Sequence, residues 1–265
     1  MQVAINADMG ESFGHYQIGN DDALMQYLSS VNLACGFHAG DPVVMRHSVE
    51  TAAKYGVSIG AHPGFQDKQG FGRRMLDVSE NDLYCDLIYQ FGALDAFVKC
   101  KGLRMTHVCP HGVMDSLVSD TETFSDVFMQ AVKDYQPDLK LVIDEKSLLA
   151  QKCAGFGLEV ASVGYPDLDY DHNGNLLITR ERGVMDVDKI CEKAVMMVTE
   201  HRYLSVDGTE FSIRPDVLCF HSDVPNSLEI LSAVRTALLN AGAGTSQHFK
   251  GGKQWKPRKN YPSGT

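Results

Sequence analysis

Four histidines in this sequence sit where a short apolar run ends, three of them within two residues of glycine or proline: "GFHAG" (His38), "GAHPG" (His62) and "CPHGV" (His111), with "CFHSD" (His221) the fourth. Carboxylates fall at similar places. Asp8 and Glu11 follow the first apolar run, Asp41 lies three residues past His38, and Asp144, Asp167 and Asp223 follow later runs. Histidines and carboxylates gathered on one rim suit hydrolysis of an amide-like bond. One group activates water, a second protonates the leaving nitrogen, and backbone N–H groups in glycine-rich turns or at helix N-termini hold the oxyanion. Metal-assisted hydrolysis competes with this reading, because Asp8, His38 and His62 are the ligand types of a catalytic zinc site with an open position. Their spacing matches no local metal motif such as H-E-x-x-H. Asp41, Asp144 and Asp223 each precede a helical pattern and also read as plain helix caps. His15, His47, His107, His172, His201 and His248 lack the strand-end placement and read as surface or packing residues.

The elements that must position these groups are legible as apolar runs. Candidate strands are residues 2–7, 31–37, 57–62, 105–109, 139–144, 158–163 and 216–221. Helical patterns lie between most of them, near 42–55, 79–101, 121–135, 146–156, 186–201 and 225–241. Such alternation calls for a parallel sheet, since parallel neighbours need crossovers. Seven strands allow an open doubly wound sheet or a distorted barrel, and in both a ligand binds at the strand C-termini. Segment 165–184 breaks the alternation, and its "HNGN" centre predicts a hairpin excursion over the site.

Composition narrows the function classes. The 265-residue chain carries a net charge of −10, against non-specific nucleic-acid binding. No run of about 18 apolar residues is present, so no membrane span is expected. The N-terminus does not read as a signal peptide, and seven scattered cysteines without a C-x-x-C pair point to reduced thiols in the cytoplasm. Cys35 and Cys109 lie at strand ends and read as buried, inert thiols. No G-x-x-x-x-G-K-[ST] loop and no G-x-S-x-G elbow occurs, against ATP binding by this chain and against an α/β-hydrolase triad. We expect one domain over 1–243 and a basic Gly/Pro-rich tail over 244–265. Residues 241–265 hold five Lys/Arg and no acid, leaving −15 on the rest. The tail reads as a solvated extension, or else as an arm docking on an acidic neighbouring subunit through Trp255 and Tyr261.

The stretches "NADMGESFGHYQIGNDDALM", "NLACGFHAGDPVVM", "GVSIGAHPGFQDKQGFGRR" and "YQFGALDAF" resemble the LamB/YcsF family over about residues 2–243. The resemblance implies an irregular seven-stranded β/α barrel similar to that of polysaccharide deacetylases. It also implies the opening of a small lactam, 5-oxoproline to glutamate, coupled to ATP hydrolysis through partner subunits of B and C type. By position it points to Asp8, Glu11, His38, Asp41, His62, His111, His221 and Asp223. Asp8 and His111 are then the leading acid–base candidates, with His62 positioning water or a metal.

The second half departs from the family pattern. Where members usually read "HVKPHGALYN", this chain has "HVCPHGVMDS", placing Cys109 and Asp115 on the substrate side of the site. Leu168 and Thr179 stand where arginines are usual, while Arg180 and Arg182 are new. A cationic rim suits a carboxylate substrate. The losses therefore raise the expectation of a divergent member acting on another cyclic amide without ATP. A metal-dependent deacetylase or amidohydrolase and a non-catalytic scaffold subunit are the competing readings, and a homo-oligomer is compatible with all of them.

Overall fold

A computed structural model describes residues 2–178, 182–245 and 249. Seven parallel strands close into a barrel: β1 (Gln2–Met9), β2 (Ser30–Ala34), β3 (Ser58–His62), β4 (His107–Val108), β5 (Lys140–Ile143), β6 (Glu159–Gly164) and β7 (Val217–His221). Each pairs with the next, and β7 returns to β1 with Ala4 opposite Val217 and Asp8 opposite His221. Of the two topologies open from the strand count, the closed one holds. A short strand, Gly244–Thr245, pairs with Gln2 and Val3 outside the ring.

The crossovers are helices α1 (Pro42–Tyr55), α2 (Glu80–Cys100), α3 (Gly112–Asp120), α4 (Glu122–Tyr135), α5 (Leu148–Phe156) and α6 (Val187–Thr199), with α7 (Ser227–Asn240) following β7. Local chemistry fixes their ends. Asp41 caps α1 by accepting from the amides of Val43 and Val44, Pro42 occupies the first turn, and Gly56 ends the helix at φ +67°. Ser79, Ser147 and Asp186 cap α2, α5 and α6 in the same way. On α2 the buried Leu83, Leu87, Phe91, Leu94 and Val98 recur at helical spacing and form its inner stripe. Each such side chain contributes about 2 kcal/mol on burial.

The barrel interior is polar along one line. Asn6 Nδ2 donates to Ser30 Oγ (2.8 Å), Asn32 Nδ2 donates to Asn6 Oδ1 (2.7 Å), and His107 Nε2 lies 2.9 Å from Asn32 Oδ1. All four side chains are buried, so the network has to satisfy itself. It reaches the strand C-termini, where Asn32 Nδ2 also donates to Asp8 Oδ1 at 2.8 Å.

Several elements differ from the sequence expectation. Helix α3 starts directly after His111, and a hairpin pairs Arg202–Leu204 with Glu210–Ser212. The second strand ends at Ala34 rather than 37, because Gly36 (φ +94°) and Gly40 (φ +77°) turn the chain toward α1. The 165–184 excursion contains the anticipated hairpin, with Asp169–Tyr170 against Leu176–Leu177. Its turn is held by Asp171 Oδ1 accepting from the amides of Asn173 and Asn175. Of the tail, Phe249 is buried and stacks on His107 with ring centroids 4.3 Å apart. Arg180, Thr179, Trp255 and Tyr261 lie outside the described residues. No helix among the described residues is long and apolar enough to cross a membrane.

Candidate active site

Strand ends β1, β3, β4 and β7 surround one cavity, lined on one side by Asp8, His62, His111 and His221. Asp8 lies 3.4 Å from His62 Nε2 and 3.6 Å from His221 Nε2 through its Oδ2, while Oδ1 accepts from Asn32. Burial alone would raise the pKa of this carboxyl. The charge and hydrogen bond of His62, then His221 and Asn32, overcome that and hold it far below the usual carboxylate range. Asp8 is therefore an anion.

Hydrogen-bond partners settle where the protons sit. His62 Nδ1 is 2.7 Å from the Cys109 carbonyl oxygen, and His111 Nε2 is 2.8 Å from that of Phe71. A carbonyl only accepts, so both nitrogens carry hydrogen. His62 Nε2 and His111 Nδ1 then face each other at 2.9 Å, and one of them must be protonated too. Burial pushes His62 down, but the charge of Asp8 outweighs it and the net shift is upward. His111 is driven well below the ordinary value by burial and by the charge of His62. The extra proton thus rests on His62 Nε2. It makes His62 an imidazolium wedged between the Asp8 carboxylate and the lone pair of His111.

Behind this pair lie His38 and Glu11. His38 stacks on His111 with centroids 3.8 Å apart and planes within 6°, and its Nε2 is 3.3 Å from Glu11 Oε1. Burial lowers His38 and, together with the charge of Asp8, raises Glu11 well above the carboxylate range. Both are neutral, so one cation and one anion share the centre.

Close packing here depends on glycine. A Cβ at Gly64 would stand 2.4 Å from His38 Nδ1. One at Gly72 (φ +62°) would stand 2.7 Å from His38 Cβ and 2.8 Å from His111 Cδ2. Phe71, whose carbonyl orients His111, is a non-glycine residue at φ +56°. Such backbone costs about 1–3 kcal/mol and persists where surrounding contacts enforce it.

The opposite wall comes from the second half of the chain and the "GFGRR" loop. Asp167 Oδ2 accepts from His221 Nδ1 (2.9 Å) and from its backbone amide (3.0 Å), directing Nε2 toward Asp8. Asp223 joins two guanidinium groups, Arg73 Nη2 at 3.2 Å and Arg182 Nη2 at 2.5 Å. Cys109 and Asp115 line the cavity beside Tyr165 and Leu168. Burial pushes the Cys109 thiol well up and the Asp115 carboxyl up to about 7, where Ser119 Oγ donates to it.

Not every residue nominated by the sequence is brought to this cavity. Asp41 is engaged as the α1 cap and, through Oδ2, by the Gly14 amide at 2.8 Å, so its carboxylate is turned to backbone rather than to the lining. The set Asp8, His38 and His62 does not converge as one donor group. Among the described residues, the groupings close enough for a cation are Glu11–His38–His62–His111 and Asp8–His62–Cys109, with ligand atoms within 4.8 Å of one another. The four donors of the first do not all fit one ion as arranged. An imidazole lone pair lies in its ring plane, and the parallel planes of His38 and His111 share no point. Arg73 and Tyr165 join the site although the sequence pattern does not nominate them, and Asp167, one of the strand-end carboxylates, joins it through His221.

The sequence profile of the LamB/YcsF family matches residues 3–251. The lactam utilization protein of Thermus thermophilus superposes at a TM-score of 0.85 with 38% identity, covering 92% of this chain and 99% of that one. The 5-oxoprolinase A subunit of Natranaerobius thermophilus is 39% identical over 91% of this chain and 94% of its own length. That of Tolumonas auensis is 41% identical over 91% and 97%.

Proposed function

The chain belongs to the LamB/YcsF family, and we propose that it opens the ring amide of 5-oxoproline as one component of a multi-subunit hydrolase. The observation that carries the reading is the His62 imidazolium held against Asp8 at the cavity wall. Ring opening needs a proton delivered to the leaving nitrogen as the carbon–nitrogen bond breaks, and His62 Nε2 holds one there. His221 supplies the complementary role. Held by Asp167 at Nδ1 and beside Asp8 at Nε2, it is the second imidazole placed to exchange a proton with an attacking water. Asp8 keeps the imidazolium charged, and His111 Nδ1 offers the proton a second resting place. Water at the carbonyl carbon, a proton to the ring nitrogen and a proton from the water account for the amino-acid product.

The relatives' names support 5-oxoproline over a divergent cyclic amide, and their being named as one lettered subunit of 5-oxoprolinase supports companion subunits. We assign the ATP-dependent step to those B- and C-type partners, since the sequence holds no phosphate-binding loop. We take the acid–base route over a zinc-dependent one because His62 already holds a proton at the cavity wall. The test is reconstitution with B- and C-type subunits, ATP and 5-oxoproline, scored by glutamate formed. Turnover that is lost in His62→Gln supports the reading, and no turnover with all components present contradicts it.

A further inference from the structure

5-Oxoproline carries a carboxylate next to its ring nitrogen, and something in the cavity has to recognise it. Much of the wall has no charge to offer: Cys109, Tyr165, Leu168 and Ile178 are neutral. Among the described lining residues, the permanent cations are Arg73 and Arg182. His62 is engaged by Asp8. Arg182 is the better placed guanidinium. Its side chain is only 6% exposed, with Nη1 a long 3.4 Å from Asp167 and Nη2 on Asp223. Its Nε is buried with no hydrogen-bond partner.

A buried N–H without an acceptor costs about 1–3 kcal/mol. Such a donor calls for an acceptor that the protein alone does not supply. The long contact to Asp167 is weak as well, because Asp167 Oδ2 already accepts from two His221 donors. The planar fork thus has one strong partner, one weak partner and one unpartnered donor. Carboxylates are the anions that match such a fork, oxygen by oxygen. Asp223, gripped between Arg73 and Arg182, shows how a carboxylate sits at this place.

We propose that Arg182 recognises the carboxylate of the substrate through its Nε side and thereby sets the preference of this cavity for acidic lactams over neutral ones. The proposal rests on the lactam-opening reading above. It makes Arg182 a specificity-determining residue, separate from the proton-handling group around His62.

The experiment is calorimetric titration of the full chain with 5-oxoproline and with 2-pyrrolidinone, the same ring without the carboxylate. Wild type should bind 5-oxoproline at least about tenfold more tightly, the scale of one charge-assisted hydrogen bond. Arg182→Gln should remove that preference and leave 2-pyrrolidinone binding unchanged. Arg182→Lys keeps a charge against Asp167 and Asp223 but has no fork and no Nε. It should fold as wild type and still lose most of the preference. Equal loss for both lactams in Arg182→Gln, or full preference in Arg182→Lys, overturns the proposal and leaves the lactam-opening reading standing. Equal binding of the two lactams by wild type does the same. Binding of neither lactam by wild type strikes the functional reading itself, and the proposal falls with it.

Discussion

The two walls of the cavity are built on different principles. The wall from the first half of the chain is compact: Asp8, Glu11, His38, His62 and His111 are all at most 5% exposed. Their protons are fixed by backbone carbonyls and by one another, and glycines at 64 and 72 leave no slack. The wall built from the "GFGRR" loop, Asp115 and the second half of the chain is a network of opposed charges, in which Arg73, Arg182, Asp167, Asp223 and His221 share partners. Hairpin Asp169–Leu177 stands over it with partly exposed residues. A wall of fixed protons suits acid–base chemistry, which needs one defined geometry. A wall of exchangeable ion pairs suits recognition of a charged ligand, which must displace or join partners already there.

That contrast predicts unequal effects of substitution. The largest belongs to the first wall: His62→Gln removes the stored proton and should lower kcat about a thousandfold with KM little changed, measured by glutamate release. Gly72→Ala is next. The added methyl collides with His38 and His111 at a backbone φ that penalises any side chain. It should cost about 1–3 kcal/mol in denaturant unfolding and lower kcat together with stability.

On the second wall, Asp115 gives a pH effect. Its folded carboxyl titrates near 7 against a usual 3.8, so it is neutral in acid and an anion in base. Binding of 5-oxoproline should weaken severalfold as the pH rises through 7, and Asp115→Asn should flatten that slope. The sign for folding is the same. A carboxyl raised in the native state contributes stability that is full below the unfolded value and lost as pH rises toward 7. Melting curves of Asp115→Asn should therefore lack that decline. The smallest functional effect is expected at Asp41. Asp41→Ala should cost about 1 kcal/mol by losing a helix cap, while kcat stays within twofold of wild type. A large kcat loss there would return Asp41 to the site.

The first wall is far more legible in the sequence than the second. Its histidines end strands and border glycines, so a local pattern carries them, and all seven barrel strands show as apolar runs. Helix α3 escapes because "GVMDSLVSD" opens on Gly112 at φ +54° and mixes serines into its apolar face. The 202–212 hairpin escapes because its strands are three residues each and follow directly on α6. Asp41 invites over-reading, since a helix cap and a site carboxylate are the same residue type at the same kind of place. Arg73 gives no signal because its partner Asp223 is 150 residues away, and only barrel closure between β7 and β1 brings them together. Local chemistry can be read along the chain, whereas ion pairs across the barrel cannot.

The most direct test of the account is the protonation of the histidines themselves. In nitrogen-15 spectra of histidine-labelled protein at neutral pH, assigned with His62→Gln and His111→Gln, His62 should show both ring nitrogens protonated. His111 should show Nε2 protonated and Nδ1 bare. A neutral His62 beside Asp8, with its second nitrogen unprotonated, would contradict the proton-holding centre on which the proposed ring opening depends.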